Sequence, residues 1–233
     1  MKRLTAIILS IILLFTITVS AVAVSTYAAD IKAQQERMAA AHDMAEAARK
    51  LGYQENHSVI RLAQQEWWEA HDRAAEYKAL QAIEEEKWET KREEYPEATY
   101  VWEYLHNYGY NDYVCAGIIG NIMVEVGGYT LAIQPYLSSN TYAGMCQWSL
   151  RYRPEAKGLN LEEQCVFLTD TIESEFATFA WIYQSGFSYE AFKNMTDYED
   201  AALAFAKVYE RCGSGSYYLR QQCAATAYDY FVN

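Results

Sequence analysis

The chain has 233 residues, more than one typical domain and fewer than two, which predicts one globular domain with an additional segment. Hydrophobic residues make up 52% and aromatic residues 15%, with only 3 prolines, so the composition excludes global disorder and collagen-like or proline-rich structures. The 19 basic and 31 acidic residues give a net charge of −12, which argues against a general nucleic-acid-binding protein and gives no attraction to anionic membranes.

The N-terminus has the pattern of an export signal. Lys2 and Arg3 precede an apolar run over residues 4–24, and Ala21-Val22-Ala23 is a suitable small-residue cleavage site. The run is also long enough to span a bilayer, so an uncleaved anchor with its basic end inside is an equal alternative. We therefore interpret residues 1–29 as a signal peptide or a membrane anchor. Both place the rest of the chain outside the cytoplasm.

Residues 30–97 are rich in strong helix formers, and their pattern predicts two helices. The first runs over about residues 31–51 and ends at Gly52, and the second runs over 59–94 after a cap at Ser58. The second carries an apolar seam at alternating steps of three and four: Ile60, Ala63, Trp67, Ala70, Ala74 and Tyr77. Alanine buries little area, so this seam is weak. The segment is predicted to be a helical hairpin or a coiled-coil stalk, able to self-associate through the seam.

Residues 98–233 differ in composition and are predicted to form a mainly α domain with a loop-rich cleft, in which a short β-hairpin would fit. Apolar periodicity predicts helices near 99–109, 112–126, 161–184, 188–194, 197–211 and 216–231. Cap signals occur at Asn111, at Asn160 with Glu163, and at Thr196 with Glu199. Residues 127–157 contain Gly, Pro, Ser and Asn and are typical of a long functional loop.

The five cysteines allow two interpretations. They are Cys115, Cys146, Cys165, Cys212 and Cys223. Export permits disulfides, and the last two flank a Gly-Ser-Gly turn that would let them join consecutive helices. They can equally be small buried hydrophobic residues. None of them has the spacing of a zinc site, so no metal is predicted.

Glu125 is the residue best suited to acid–base chemistry. It lies in the last predicted turn of an apolar helix, before a double glycine, and Asn121 lies four residues earlier on the same helical face. Apolar neighbours would raise the pKa of its carboxyl and make it a general acid. The alternative is an ordinary surface glutamate near the end of a helix.

Gln147 and Trp148 form the second informative pair. An amide beside an indole can bind a sugar, because the ring covers the sugar face and the amide reaches its hydroxyls. Gly144 ahead of them would let the backbone approach a ligand closely. The alternative is a tryptophan packed in the core with the glutamine at the surface.

These residues resemble the phage tail lysozyme family. The resemblance rests on Gly120-Asn121 ahead of Glu125, followed by Gly144-Met145-Cys146-Gln147-Trp148, and it extends over about residues 99–232 through Tyr209-Glu210-Arg211 and Arg220. It implies the lysozyme-like fold that this family shares with goose-type lysozymes and soluble lytic transglycosylases. Glu125 matches the catalytic acid of the family, and Gly144 to Gln147 resemble the Gly-Leu-Met-Gln segment of the transglycosylase cleft.

Two departures from the transglycosylase pattern are evident. Val126 stands where a serine usually follows the catalytic glutamate, and Ala206 to Tyr209 are only a loose counterpart of the Ala-Tyr-Asn segment. The choice between hydrolase and transglycosylase therefore stays open.

The resemblance implies an exported enzyme that cuts the β-1,4 bond between N-acetylmuramic acid and N-acetylglucosamine in peptidoglycan. Glu125 would be its general acid, and the sugar subsites would be lined by Tyr142, Gln147, Trp148 and Tyr209. Transglycosylase relatives work with one glutamate, which later acts as base on the 6-hydroxyl of the sugar. A hydrolase would need a second carboxylate. Its candidates are Glu155, Glu173, Glu175 and Glu210. No cofactor is implied.

Two other functions compete with this hypothesis. The domain can be a wall-binding or structural module without turnover, which Val126 favours. Residues 30–97 can also be the functional part, as an assembly device of a secretion, conjugation or phage-derived apparatus.

Overall fold

The computed structural model describes the backbone of residues 21–181 and 188–233, and side chains from residue 27 onward. The chain divides into two compact units between Glu89 and Thr90, whereas the sequence places the boundary between residues 97 and 98. Most of the predicted signal or anchor, residues 4–24, lies outside the described residues. Among the helices that are described, none is both long and apolar enough to cross a membrane.

The first unit is formed by two long helices. Helix α1 spans Ala21–Lys50 and helix α2 spans Ser58–Glu94, so α2 contains the boundary between the units. Gly52 follows α1 with a φ of 84°, in the left-handed region that glycine adopts readily. Arg49 and Glu55 then form an ion pair of 2.6 Å across the connection.

The two helices form an antiparallel hairpin. Arg37 on α1 contacts Glu66 on α2 at 2.7 Å, and the rings of Tyr27 and Tyr77 stack with their centroids 6.1 Å apart. The hydrophobic residues that the two helices bury are mostly alanines, with Ile60 and Trp88 as the larger members: Ala41, Ala45, Ala48, Ile60, Ala63, Ala70, Ala74 and Trp88. Four members of the predicted seam are in this set, so they are already covered within a single chain.

The second unit is mainly α, as the sequence predicts. Its helices are α3 (Pro96–Tyr108), α4 (Asp112–Val126), α5 (Leu161–Phe179), α6 (Tyr189–Lys193), α7 (Tyr198–Phe205) and α8 (Tyr217–Val232). The described sheet has two antiparallel strands, β1 (Tyr142–Ala143) and β2 (Trp148–Ser149), in the long segment after α4. Short 3-10 turns span Pro154–Ala156 and Ser214–Ser216.

Side-chain caps explain where several helices begin. Asn111 caps α4, and Asn160 forms a reciprocal capping box with Glu163 at the start of α5, both as predicted. The predicted box at Thr196 is wrong. Asp197 is the cap of α7, because its carboxylate accepts hydrogen bonds from two backbone amides of the first turn.

Helix α4 is the centre of the core and is buried along most of its length. Its two glycines allow close packing, as the sequence predicts. A methyl group on Gly117 would lie 2.7 Å from Ala201 on α7, and one on Gly120 would lie 2.4 Å from the backbone of Ala224 on α8. Side chains at these positions would push the neighbouring helices away.

A buried amide holds the loop that contains β1 and β2. The Oε1 of Gln164 accepts a hydrogen bond from the Met145 amide at 2.7 Å, and its Nε2 donates to the carbonyls of Pro135 and Leu159, both at 3.0 Å. Gly144 packs against the Trp148 ring with a φ of 79°. The loop is therefore fixed to α5, and the segment from Gly144 to Trp148 has a defined position.

All five cysteines are free thiols, so the bond between Cys212 and Cys223 that the sequence allows is not formed. Cys212 is half-buried and the other four are buried. They pack as small hydrophobic residues, the second interpretation that the sequence allows.

Candidate active site

Glu125 lies in the last turn of α4 and is partly exposed, with 22% of its side-chain surface accessible. Its Oε1 accepts a hydrogen bond from Nη2 of Arg220 on α8. The sequence predicts apolar surroundings that favour the neutral carboxyl. The structure adds a guanidinium that is bonded to this carboxyl.

Arg220 is held in place by a buried network. Its side chain is 3% exposed, and its Nη1 donates to Oδ1 of Asn121 at 2.9 Å. The Nδ2 of Asn121 donates to the carbonyls of Gly117 at 2.8 Å and Ala202 at 3.0 Å. Asn121 therefore joins α4 to α7 and orients the arginine that contacts Glu125. The predicted shared face of Asn121 and Glu125 is the face that Arg220 contacts.

A cleft of about 520 Å³ lies between the β1–β2 hairpin, α5 and the segment that follows α7. All four residues predicted to bind sugar line it: Tyr142, Gln147, Trp148 and Tyr209. The cleft also contains Cys146, Tyr152, Arg153, Glu175, Glu210 and Arg211. The structure therefore brings the predicted sugar-binding residues together, although they come from distant parts of the chain.

Trp148 and Tyr209 form a fixed wall of this cleft. The indole Nε1 of Trp148 donates to the Tyr209 hydroxyl at 3.0 Å, and this hydroxyl also contacts Oγ1 of Thr171 at 2.9 Å. The two aromatic residues are 7% and 5% exposed, and burial raises the pKa of the Tyr209 hydroxyl. Tyr142 is 47% exposed and offers more ring surface to a ligand.

Gln147 uses its amide nitrogen to shape the loop. Its Nε2 donates to the carbonyl oxygens of Gly144 at 2.8 Å and Leu137 at 3.2 Å. Its φ of 45° is unusual for a residue with a side chain. The structure therefore gives Gln147 a role in loop geometry as well as a position in the cleft.

Glu210 is a cleft carboxyl with a raised pKa. Burial and, after it, the negative charge of Glu125 raise this pKa to about 8, although Arg220, a hydrogen bond with Cys146 and Arg211 act in the opposite direction. The residue is half-buried as a whole, but its Oε1 is sealed from solvent and has no hydrogen-bond partner among the described residues.

Cys146 connects the cleft to Glu125. Burial raises the pKa of its thiol well above the ordinary value, and the charges of Glu210 and Glu125 raise it further. Both carboxyls therefore act electrostatically on one thiol, and Glu125 also acts on Glu210.

The other candidates for a second carboxylate are less suitable. Glu175 lines the cleft, but it is 7% exposed and forms ion pairs with Arg153 and Arg211, which neutralise it. Two candidates lie on the exposed surface: Glu155 and Glu173. Glu210 is thus the candidate on which the charge of Glu125 acts.

Arg220 is a site residue that the sequence reasoning did not assign. A signal for it exists, because Arg220 lies on the buried stripe of α8 with Cys223, Ala224, Ala227 and Phe231. A charged residue within an otherwise small and apolar stripe needs a buried partner. No cluster of three potential metal ligands occurs among the residues that the structure describes.

One of three comparisons with known proteins found a match. The family model described as Phage tail lysozyme matches residues 96–231, which include the whole candidate site. No curated protein and no solved structure matches the chain. The match covers more than half of the sequence, and the chain therefore belongs to the phage tail lysozyme family.

Proposed function

We propose that this chain is an exported glycosidase of peptidoglycan, which cuts the β-1,4 bond between N-acetylmuramic acid and N-acetylglucosamine. Membership of the phage tail lysozyme family supports a lysozyme-like, peptidoglycan-cleaving role in general. The observation that carries the specific proposal is the position of Glu125, at the end of α4 and electrostatically linked to a cleft lined by aromatic and polar residues.

Glu125 is the catalytic carboxyl in this proposal. As general acid it gives a proton to the glycosidic oxygen while the bond to the sugar carbon breaks. As general base it then takes a proton from the attacking group, which is water in a hydrolase and the 6-hydroxyl of the sugar in a transglycosylase. Arg220 donates a hydrogen bond to the Glu125 carboxyl and would hold it in position for both steps. Neither step needs a cofactor.

The glycan would lie along the cleft. Tyr142 offers an exposed ring for the face of a sugar, and Gln147 and Trp148 line the cleft beside it. Tyr209 supports the wall through its hydrogen bond with Trp148. The rigid wall and the accessible Tyr142 ring suit a stiff polysaccharide chain.

The N-terminal segments fit the same function. Export through residues 1–29 would bring the enzyme to a substrate that lies outside the membrane, and retention of that segment would anchor it there. The hairpin of α1 and α2 would serve as a spacer, and contact with a second copy would have to involve residues outside its buried alanine set.

The proposal is tested by digestion of purified peptidoglycan with the full chain, followed by mass spectrometry of the released fragments. Wild type is compared with Glu125→Gln and with Glu173→Gln, a matched change at an exposed glutamate. We expect fragments from wild type and the control but none from Glu125→Gln. Reducing ends would identify a hydrolase, and anhydro ends a transglycosylase. Retained wall binding without any product would instead identify a non-catalytic module.

A further inference from the structure

Two arginines meet on one buried glutamate in the wall of the cleft. Nη2 of Arg153 contacts Oε1 of Glu175, and Nη1 of Arg211 contacts Oε2 of the same carboxylate. The side chain of Glu175 is 7% exposed, whereas those of Arg153 and Arg211 are 22% and 33% exposed. All three residues line the same cleft. One glutamate balances one arginine, so this arginine cluster keeps one positive charge.

The members of the arginine cluster come from separate parts of the chain. Glu175 lies in α5, and Arg153 follows β2. Arg211 directly follows a π-helical turn over Ala206–Glu210 and has a φ of 53°, which is unusual for a residue with a side chain. Such conformations persist only where the surrounding structure holds them, and they are frequent at ligand sites. The fold therefore directs Arg211 to the cleft in spite of an unfavourable backbone conformation.

Aromatic rings hold the two guanidinium groups. The guanidinium carbon of Arg153 lies 5.5 Å from the ring centroid of Phe167, and that of Arg211 lies 4.3 Å from the ring centroid of Phe179. A ring covers the face of a guanidinium and leaves the N–H donors, which lie in its plane, to other partners. Phe167 also packs edge-on against Trp148, with their centroids 5.0 Å apart. The arginine cluster is thus continuous with the proposed sugar-binding wall.

A positive charge in the cleft is unusual for this protein, because the chain has a net charge of −12. Among the described residues that line the cleft, Glu210 is the other acidic one. Burial raises the pKa of Glu210 to about 8, so this carboxyl does not cancel the positive charge at neutral pH. Guanidinium donors form a fork that matches a planar carboxylate. The arginine cluster therefore has the charge and the geometry to bind a carboxylate from the substrate.

We propose that Arg153 and Arg211 form a carboxylate-binding subsite that selects N-acetylmuramic acid over N-acetylglucosamine. The two sugars share a ring and an N-acetyl group, but only muramic acid carries a lactyl ether with a carboxyl group. This carboxyl is free in strands without peptides, and in other strands it is joined to a peptide that supplies carboxylates of its own. The subsite fixes which sugar of the alternating strand lies beside the arginine cluster. This inference rests on the proposed glycosidase function.

The test measures binding, so it does not depend on cleavage. The probes are the disaccharide N-acetylglucosaminyl-N-acetylmuramic acid, its methyl ester, and the same disaccharide with a lactyl-linked dipeptide that ends in a free carboxylate. Their internal bond is not the one that the proposed enzyme cuts. NMR titration of the full chain should show about tenfold tighter binding of a carboxylate form than of the ester, since an ionised acceptor strengthens hydrogen bonds.

The probes also distinguish the two sources of the carboxylate. Preference for the acid over the ester identifies the lactyl carboxylate as the ligand. Preference for the dipeptide form alone identifies the peptide carboxylate. Equal affinities for all three probes would overturn the proposal.

Substitutions test whether the preference comes from the arginine cluster. Arg211→Gln leaves Arg153 to pair with Glu175, so the buried glutamate keeps a partner. It should remove most of the preference and leave the affinity for the ester unchanged. Arg211→Lys should retain part of the preference, because lysine keeps the charge but not the fork. Arg151→Gln, at an exposed arginine two residues before Arg153, is the control and should change nothing. An unchanged preference in Arg211→Gln would contradict the proposal.

Glu175→Gln predicts a change of the opposite sign and remains informative if an arginine variant does not fold. It removes the carboxylate that competes with the substrate for both guanidinium groups. The carboxylate probes should therefore bind several-fold more tightly, with no change for the ester. Unchanged or weaker binding of these probes, with an unaltered circular dichroism spectrum, would count against the proposal.

Failure of this inference and failure of the proposed function are distinguishable. Equal binding of all probes by a chain that cleaves peptidoglycan would reject only the carboxylate subsite. A carboxylate preference that depends on Arg211, in a chain that does not cleave peptidoglycan, would reject only the glycosidase function.

Discussion

The hairpin of α1 and α2 and the unit that begins at Thr90 are both helical, but they bury different residues. The hairpin buries mainly alanine, and its Arg37–Glu66 pair is exposed at 36% and 51%. The second unit buries large side chains such as Trp102 and Phe176, and it also buries polar groups such as Asn121 and Arg220.

This difference shows where chemistry is possible. Exposed ion pairs contribute little because water screens them, whereas a charge held inside the protein depends strongly on its partners. The second unit contains a buried arginine and a carboxyl with a raised pKa. Groups of this kind lower the stability of a fold and are therefore most common at functional sites. The hairpin combines none of these features among its described residues. Three substitutions, each paired with a control, test this comparison.

The largest effect is expected when an arginine is removed from each unit. Arg220→Met leaves Glu125 and Asn121 without their buried donor, so we expect the free energy of unfolding to fall by about 3 kcal/mol. Arg37→Met in the hairpin is the matched change and should cost less than about 1 kcal/mol. Urea unfolding combined with hydrogen exchange of each unit measures both values. Equal losses would show that the two ion pairs are energetically alike.

An intermediate effect is expected at the glycine contact between α4 and α8. Gly120→Ala would place a methyl group 2.4 Å from the Ala224 backbone, which has to move, and the free energy of unfolding should fall by about 2 kcal/mol. Gly213→Ala is the control, since no atom lies within 4 Å of the added methyl group. Thermal unfolding of both variants checks this, and a neutral Gly120→Ala would mean that the helices can separate without cost.

The smallest effect is expected in the hairpin. Ala70→Gly and Ala75→Gly remove the same methyl group from α2, at a buried and an exposed position. Each should cost about 1 kcal/mol through helix propensity, with about 0.8 kcal/mol more at Ala70 for the lost burial. Hydrogen exchange over residues 21–89 measures the difference, while glycan cleavage should stay unchanged. A loss of cleavage would assign the hairpin a role in catalysis.

Local patterns were sufficient to predict most helices. Two helix caps could be predicted from short sequence spacings, at Asn111 and at Asn160 with Glu163. The reason is that a cap accepts hydrogen bonds from backbone amides in the first turn of its own helix. Gly117 and Gly120 correctly indicated close helix packing. Thr196 failed because Asp197, one residue later, is the stronger acceptor and occupies the cap.

The site itself was only partly predictable. The sequence singled out Glu125 and the pair Gln147-Trp148, because they stand out against their neighbours and resemble family motifs. It offered Glu210 among four carboxylates without ranking them. It could not assign Arg220, which contacts Glu125 across 95 residues of chain. A local pattern contains no information on which distant charge faces a given carboxyl.

The sequence by itself determined the helical class and the family, since both depend on composition, periodicity and short motifs. Only the tertiary structure decided that Arg220 is bonded to Glu125, that Arg211 is bonded to Glu175, and that Oε1 of Glu210 is buried without a hydrogen-bond partner among the described residues. The reason is that ionisation depends on burial and on charges within a few ångströms, and these are properties of packed helices rather than of neighbours along the chain.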